Sequence, residues 1–277
     1  MKAILTTVVV LLLSVLIGCD SANKGRTKSS DFKSLGDQEN FRSKHTLSEA
    51  SKEEPKGEWV KYSISNDKDA SAYIVRPQKA SNQYLLLFHE WWGLNKNIQL
   101  EADKWQEKLK KVNVIAIDLY DGELAKDREK AKELMQGADE ERIYSIIDAV
   151  LNSLPKQNIQ MCTMGWCFGG GWALKASIRA EERSVATVMF YGMPIRDVDE
   201  LAKIAGDVLF IYGEKDAWIN QEVAENFQND MIKAYKEVNI LSFDADHAFA
   251  NPSSEHFDEK AASKANAEVL RYLNYKY

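Results

Sequence analysis

The stretch Gly165-Trp166-Cys167-Phe168-Gly169-Gly170, GWCFGG, decides how the rest of the chain is read. A Gly-x-nucleophile-x-Gly pattern normally carries serine at its centre, on a sharp strand-to-helix turn. Here the centre is Cys167. Two readings are open: a nucleophilic thiol held on that turn, or a glycine-rich turn with a small buried cysteine.

The residues before the turn, IQMCTMG, are an apolar run, and those after it, from Gly169 to about position 181, have helical spacing. The same alternation runs through the chain from Glu58. Strand-like runs are SAYIVR, YLLLFHE, VNVIAIDLY, IQMCTMG, VATVMFY, DVLFIYG and VNILSF. Several are apolar at every position, as central strands covered on both faces are. Helix-like stretches fall at about 98–111, 127–135, 140–153, 169–181, 198–205, 221–235 and 255–272. Strand–helix alternation predicts an α/β protein with a mostly parallel, doubly wound sheet flanked by helices, in a single domain over 58–277.

In such sheets the reacting groups gather beyond the carboxyl ends of the strands. The residues following the strands are HEWWG (89–93), DLYDG (118–122), GWCFGG, EKDAW (214–218) and DADHAF (244–249). Cys167, Asp216 and His247 therefore share one edge, in the order nucleophile, acid, histidine, which is the triad order of α/β-hydrolases. A helix beginning near Phe168 favours a thiolate at Cys167 through its positive end. His247 is placed to hold the thiol proton, and Asp216 to fix the imidazole tautomer. The bland readings are a packing cysteine, a turn-capping aspartate and a structural histidine. Of the four histidines, His45 is expected to be solvated and His256 to face solvent, while His89 ends a strand as a hydrogen-bonded structural residue.

The motifs HEWWG, GWCFGG, GEKDAW and DADHAF together resemble the dienelactone hydrolase family of α/β-hydrolases, over essentially all of 58–277. The resemblance implies the α/β-hydrolase fold, a Cys167–His247–Asp216 triad and hydrolysis of a carboxylic ester or lactone through an acyl-cysteine, as in carboxymethylenebutenolidases. It implies that Glu90 contacts the resting cysteine and helps convert it to thiolate, and that the backbone N–H groups of Trp91 and Phe168 form the oxyanion hole. No cofactor is implied. The family grips a substrate carboxylate with two arginines; Arg128 stands at the position of one, and Asn251 at that of the other. Asparagine cannot replace a bidentate guanidinium clamp, so the resemblance points away from dienelactone itself. Trp91, Trp92, Trp166 and Trp218 suggest an aromatic pocket wall, with Trp218 beside the substrate. The rival reading is a non-catalytic lipoprotein that uses the fold as a binding module.

The N-terminus reads differently. Met1-Lys2 precedes the apolar run AILTTVVVLLLSVLI, which ends in Leu16-Ile17-Gly18-Cys19. This resembles a bacterial lipoprotein signal (1–18), implying lipid on Cys19 and a protein anchored to a membrane of the cell envelope, periplasmic or outward-facing. From 19 to 57 the chain is polar, with isolated Phe32, Leu35 and Phe41, and is expected to be a flexible tether.

Composition bounds the partners. The 277 residues are 45% hydrophobic with a net charge of −6 and scattered lysines, which excludes a basic nucleic-acid surface and leaves a small ester or lactone as the expected partner. Cys162 reads as a core residue. The absence of Cys-x-x-Cys and H-E-x-x-H motifs argues against redox chemistry or a metal site.

Overall fold

Apolar runs without polar alternation leave a strand no face to offer water, so they are stable only with cover on both sides. The computed structural model describes residues 34–43, 45 and 52–277, and there those runs form the middle of an eight-stranded sheet. The strands are β1 (Glu58–Tyr62), β2 (Ala70–Val75), β3 (Gln83–Phe88), β4 (Asn113–Ile117), β5 (Gln160–Trp166), β6 (Ser184–Phe190), β7 (Asp207–Gly213) and β8 (Val238–Phe243). Their order is β1-β2-β4-β3-β5-β6-β7-β8. Strands β3 to β8 pair in parallel, while β1–β2 and β2–β4 are antiparallel.

All seven expected strands are present. β1 was not expected from sequence: its residues EWVKY are largely exposed, as suits an edge with little apolar signal. The helices are α1 (Glu39–Ser43), α2 (Lys96–Leu109), α3 (Arg128–Gly137), α4 (Glu140–Ser153), α5 (Phe168–Ala180), α6 (Val198–Leu201), α7 (Gln221–Lys233) and α8 (Glu259–Lys276). The last starts later than its pattern suggests because Asp258 caps it, accepting from the Ala261 N–H at 2.9 Å. α6 is a single turn, shorter than the expected 198–205. Among the described residues no helix is long and apolar enough to cross a membrane. The signal segment and Cys19 lie outside the described residues.

Register places the site. Phe88 pairs with Gly165, Trp166 with Phe190, Phe190 with Ile211, and Gly213 with Phe243. The residues that continue from these positions, Glu90, Cys167, Tyr191, Asp216 and His247, therefore all emerge at the same carboxyl edge.

Candidate active site

Cys167 joins β5 to α5 with φ 54° and ψ −119°, a left-handed backbone rarely adopted by a residue with a side chain. Two close approaches hold it there. A Cβ on Gly165 would stand 2.1 Å from the Gly169 carbonyl oxygen, and one on Gly169 would stand 2.2 Å from that of Phe88. Only glycines let α5 begin this near β3 and β5. The Cys167 N–H donates to the Phe190 carbonyl at 2.9 Å. Strain at this turn aims the sulfur at the sheet edge.

His247 brings its ring to that sulfur, with Nε2 3.4 Å from Cys167 Sγ. Its other nitrogen, Nδ1, donates to Asp216 Oδ2 at 2.5 Å. Asp216 Oδ1 in turn accepts from the backbone N–H groups of Trp218 and Ile219, both at 2.9 Å. The carboxylate is thus fixed by its own loop, and it fixes the tautomer that presents the Nε2 lone pair to the thiol. All three side chains are buried. Burial opposes the charged form of His247, but the Asp216 carboxylate and the neighbouring sulfur outweigh it and hold the imidazole well above its ordinary value. Burial likewise opposes charge on Asp216; the His247 ring reverses this and lowers the carboxyl below its usual range. Burial pushes the Cys167 thiol up, partly countered by His247 and by the Phe168 N–H.

Glu90 follows β3 directly and is 5% exposed. Burial pushes its carboxyl up to about 7, against the pull of His247. It also raises the proton affinity of Cys167, so carboxyl and thiol sense one another. Its Oε2 accepts from Asn251 Nδ2, and Asn251 Oδ1 accepts from the Ser253 N–H at 2.8 Å and from the Ser253 hydroxyl at 2.6 Å. His89 is the structural histidine expected from its place at a strand end. Its Nε2 accepts from the Leu119 N–H at 3.1 Å and its Nδ1 lies 2.6 Å from the Glu90 carbonyl, stitching the loops after β3 and β4 together. Burial keeps it neutral, at about 4. His256 is partly buried between Asp246 and Glu255 rather than facing solvent. Cys162 is a free core thiol pushed up to about 12 by burial.

The stretch expected to be a solvated tether behaves otherwise at 34–43 and 45. Phe41, on α1, is fully buried, with its ring 5.0 Å from Trp218, 5.4 Å from Trp91 and 5.7 Å from His247. His45, expected in solvent, is 4% exposed, and its ring lies 5.2 Å from that of His247 and 5.0 Å from Trp91. The correction has a plain cause: one phenylalanine and one histidine in a polar stretch carry no periodicity, and their partners are residues far along the chain. Burial pushes His45 down to about 3, so it is neutral, and its Nδ1 donates to the Phe41 carbonyl at 2.6 Å.

The same segment meets two of the three expected substrate contacts. Trp218 Nε1 donates to Gln38 Oε1 at 2.9 Å, and Arg128 Nε donates to the His45 carbonyl at 2.5 Å. Asn251 faces Glu90. Of the expected aromatic wall, Trp91 and Trp218 flank Phe41, Trp92 sits edge-on behind Trp91, and Trp166 stacks on Phe190. Sequence reasoning missed Tyr191, whose ring lies 5.0 Å from His247 and whose φ is 38°. Its signal was available, since Tyr191 directly follows β6 at the edge where the other groups gather.

The model of the dienelactone hydrolase family matches residues 70–276, and the chain belongs to that family. Carboxymethylenebutenolidase 1 of Cupriavidus pinatubonensis (strain JMP 134 / LMG 1197) is 25% identical over 215 residues, covering 73% of this chain and 90% of that protein. Among solved structures, dienelactone hydrolase from Anabaena variabilis ATCC 29413 superposes with a TM-score of 0.58 at 17% identity, over 81% of this chain and 99% of that one. A dienelactone hydrolase-like promiscuous phosphotriesterase from metagenomic libraries superposes with a TM-score of 0.68 at 18% identity, over 80% and 98%. At these identities the structural likeness carries the fold alone.

Proposed function

We propose that this member of the dienelactone hydrolase family cleaves carboxylic esters or lactones through an acyl-cysteine at Cys167. The observation that carries the reading is the continuous relay from Cys167 Sγ to His247 Nε2 at 3.4 Å and from His247 Nδ1 to Asp216 at 2.5 Å, on a strained turn. The sulfur adds to the carbonyl carbon, and the thiol proton passes to His247 Nε2. The backbone N–H groups of Trp91 and Phe168 receive the developing oxyanion, such donors being worth about 2.7–4 kcal/mol each. His247 then gives its proton to the departing alkoxide as the C–O bond breaks, leaving a thioester. Water adds next, with His247 as base; the C–S bond breaks, the acid leaves and the thiol is restored. Asp216 stabilises the imidazolium formed in both halves. Glu90, pushed up to about 7 by burial, is placed to respond to charge on Cys167.

The substrate we favour has no carboxylate on its acyl side. Asn251 holds Glu90, and Arg128 is engaged by the His45 carbonyl, so neither residue offers an idle clamp. Trp91 and Trp218, which flank Phe41, suit a flat apolar acyl group in the place that the Phe41 ring takes here. Turnover of small aryl acetates and enol-lactones, with mass-spectrometric trapping of an acylated Cys167, tests the scheme. Equal turnover by wild type and Cys167→Ala removes it.

Phe41 and His45 seated over the triad favour one alternative, a non-catalytic binding module. That reading requires iodoacetamide to label Cys167 slowly, without a histidine-linked pH profile. The proposal also includes lipid on Cys19, supported by the apolar run ending at Leu16–Cys19; fatty-acid labelling that persists in Cys19→Ser defeats that part.

A further inference from the structure

His45, which the hydrolysis scheme does not use, joins Cys167 and His247 in one cluster. One ligand atom from each residue lies within 4.8 Å of the other two, and all three residues are buried. The orientation of both rings is fixed from behind. His247 Nδ1 is held by Asp216 at 2.5 Å, which leaves Nε2 to face the sulfur, and His45 Nδ1 is held by the Phe41 carbonyl at 2.6 Å, which leaves Nε2 as its available nitrogen. His45 Nε2 is buried and has no hydrogen-bond partner among the described residues. A buried imidazole nitrogen left unsatisfied is costly unless something fills the gap.

We infer that Cys167, His247 and His45 form a Zn²⁺ site that closes the catalytic centre and pins residues 34–45 onto it. One sulfur and two imidazole nitrogens are the donors zinc prefers over harder divalent ions. A carboxylate behind one histidine and a main-chain carbonyl behind the other are the supports that metal-bound imidazoles carry. Tetrahedral zinc, with Zn–S about 2.3 Å and Zn–N about 2.0–2.1 Å, needs its ligand atoms roughly 3.4–3.6 Å apart. The His247–Cys167 separation of 3.4 Å already meets this. His45 closes the rest by an inward shift of at most about 1.4 Å, the largest difference between that spacing and the 4.8 Å span. With Glu90 protonated the charges balance too: Zn²⁺, the thiolate and the Asp216 carboxylate sum to zero, which lowers the penalty of burying the ion. Binding releases the thiol proton to solvent. The fourth position remains for water.

The sequence argues against a metal because these ligands come from positions 45, 167 and 247, with no local spacing to announce them. With zinc bound, the sulfur lone pair and the His247 nitrogen are both engaged, so the site cannot turn over ester. That consequence rests on the hydrolase reading; the binding does not.

The test is an anaerobic titration of the full chain with Co²⁺, which reports thiolate ligation by a near-ultraviolet charge-transfer band and tetrahedral geometry by intense visible bands. The expected result is one Co²⁺ per chain with both signatures, displaced by one equivalent of Zn²⁺. Cys167→Ser should lose the charge-transfer band. His45→Ala and the bulkier His45→Gln should each weaken binding by at least tenfold, since even supporting partners of metal ligands matter by about 10–100-fold. Unchanged far-ultraviolet dichroism confirms that these variants fold. Absence of the charge-transfer band in wild type, or a loss smaller than tenfold in both His45 variants, overturns the site. If the chelator-treated, metal-free protein shows no ester turnover but the cobalt bands appear on titration, the hydrolase reading fails and the metal site stands.

Discussion

Asp216→Asn probes the relay most directly, because the structure dictates how the new amide must sit. Asp216 Oδ1 accepts from the Trp218 and Ile219 N–H groups at 2.9 Å each, and Oδ2 accepts from His247 Nδ1 at 2.5 Å. Asparagine has one carbonyl oxygen to share between these two faces. Turning its NH₂ towards the two backbone donors leaves them facing another donor, at a cost of about 1–3 kcal/mol for each buried group, or about 2–6 kcal/mol together. The amide therefore keeps its oxygen on the loop and points NH₂ at His247. Nδ1 must then accept, the ring proton moves to Nε2, and the lone pair that faced Cys167 Sγ is gone. A 2–6 kcal/mol preference depopulates the productive tautomer by roughly 30-fold to 10⁴-fold. The same substitution in the serine protease triad lowers kcat by about 10⁴. The expected outcome is a fall in kcat/KM on aryl acetates within this range, with far-ultraviolet dichroism unchanged. Iodoacetamide labelling of Cys167 should lose its dependence on an imidazole. Activity within threefold of wild type would refute the reasoning, since it would mean that His247 does not depend on the orientation set by Asp216.

Three further outcomes follow from the coordinates. Phe41→Ala removes a fully buried ring worth about 1.5–3 kcal/mol of docking, so protease nicking within 34–45 should rise by roughly 10-fold or more while the urea midpoint of the domain barely moves. Glu90 has a folded-state value of about 7, above the ordinary 4.5, so its neutral form stabilises the fold below pH 4.5 and that contribution is lost as pH rises to about 7. Glu90→Gln should therefore be more stable than wild type by about 3 kcal/mol at pH 8 and no different at pH 4, as read by urea unfolding at both pH values. Gly165→Ala places a methyl 2.1 Å from a backbone oxygen that cannot rotate away, and should destabilise the domain by about 3 kcal/mol or more in thermal melts.

Much of this molecule is legible along the chain. The parallel core follows from apolar runs such as VIAI and LLLF, which can be stable only between two layers, and the turn at Cys167 follows from glycines on either side of a residue that must adopt positive φ. Because parallel strands all point one way, the residues after them share an edge, and the order Cys167, Asp216, His247 could be read before any distance was known. What the sequence could not supply were contacts whose partners share no local period. β1 has too little apolar content to announce an edge strand, and Asn251 at the family's second arginine position gives no hint that it holds Glu90. The seat of Phe41 and His45 against His247 belongs to the same class. Backbone period is set by neighbours three or four residues away, whereas a pocket's occupant is chosen by surfaces that exist only once the sheet has formed.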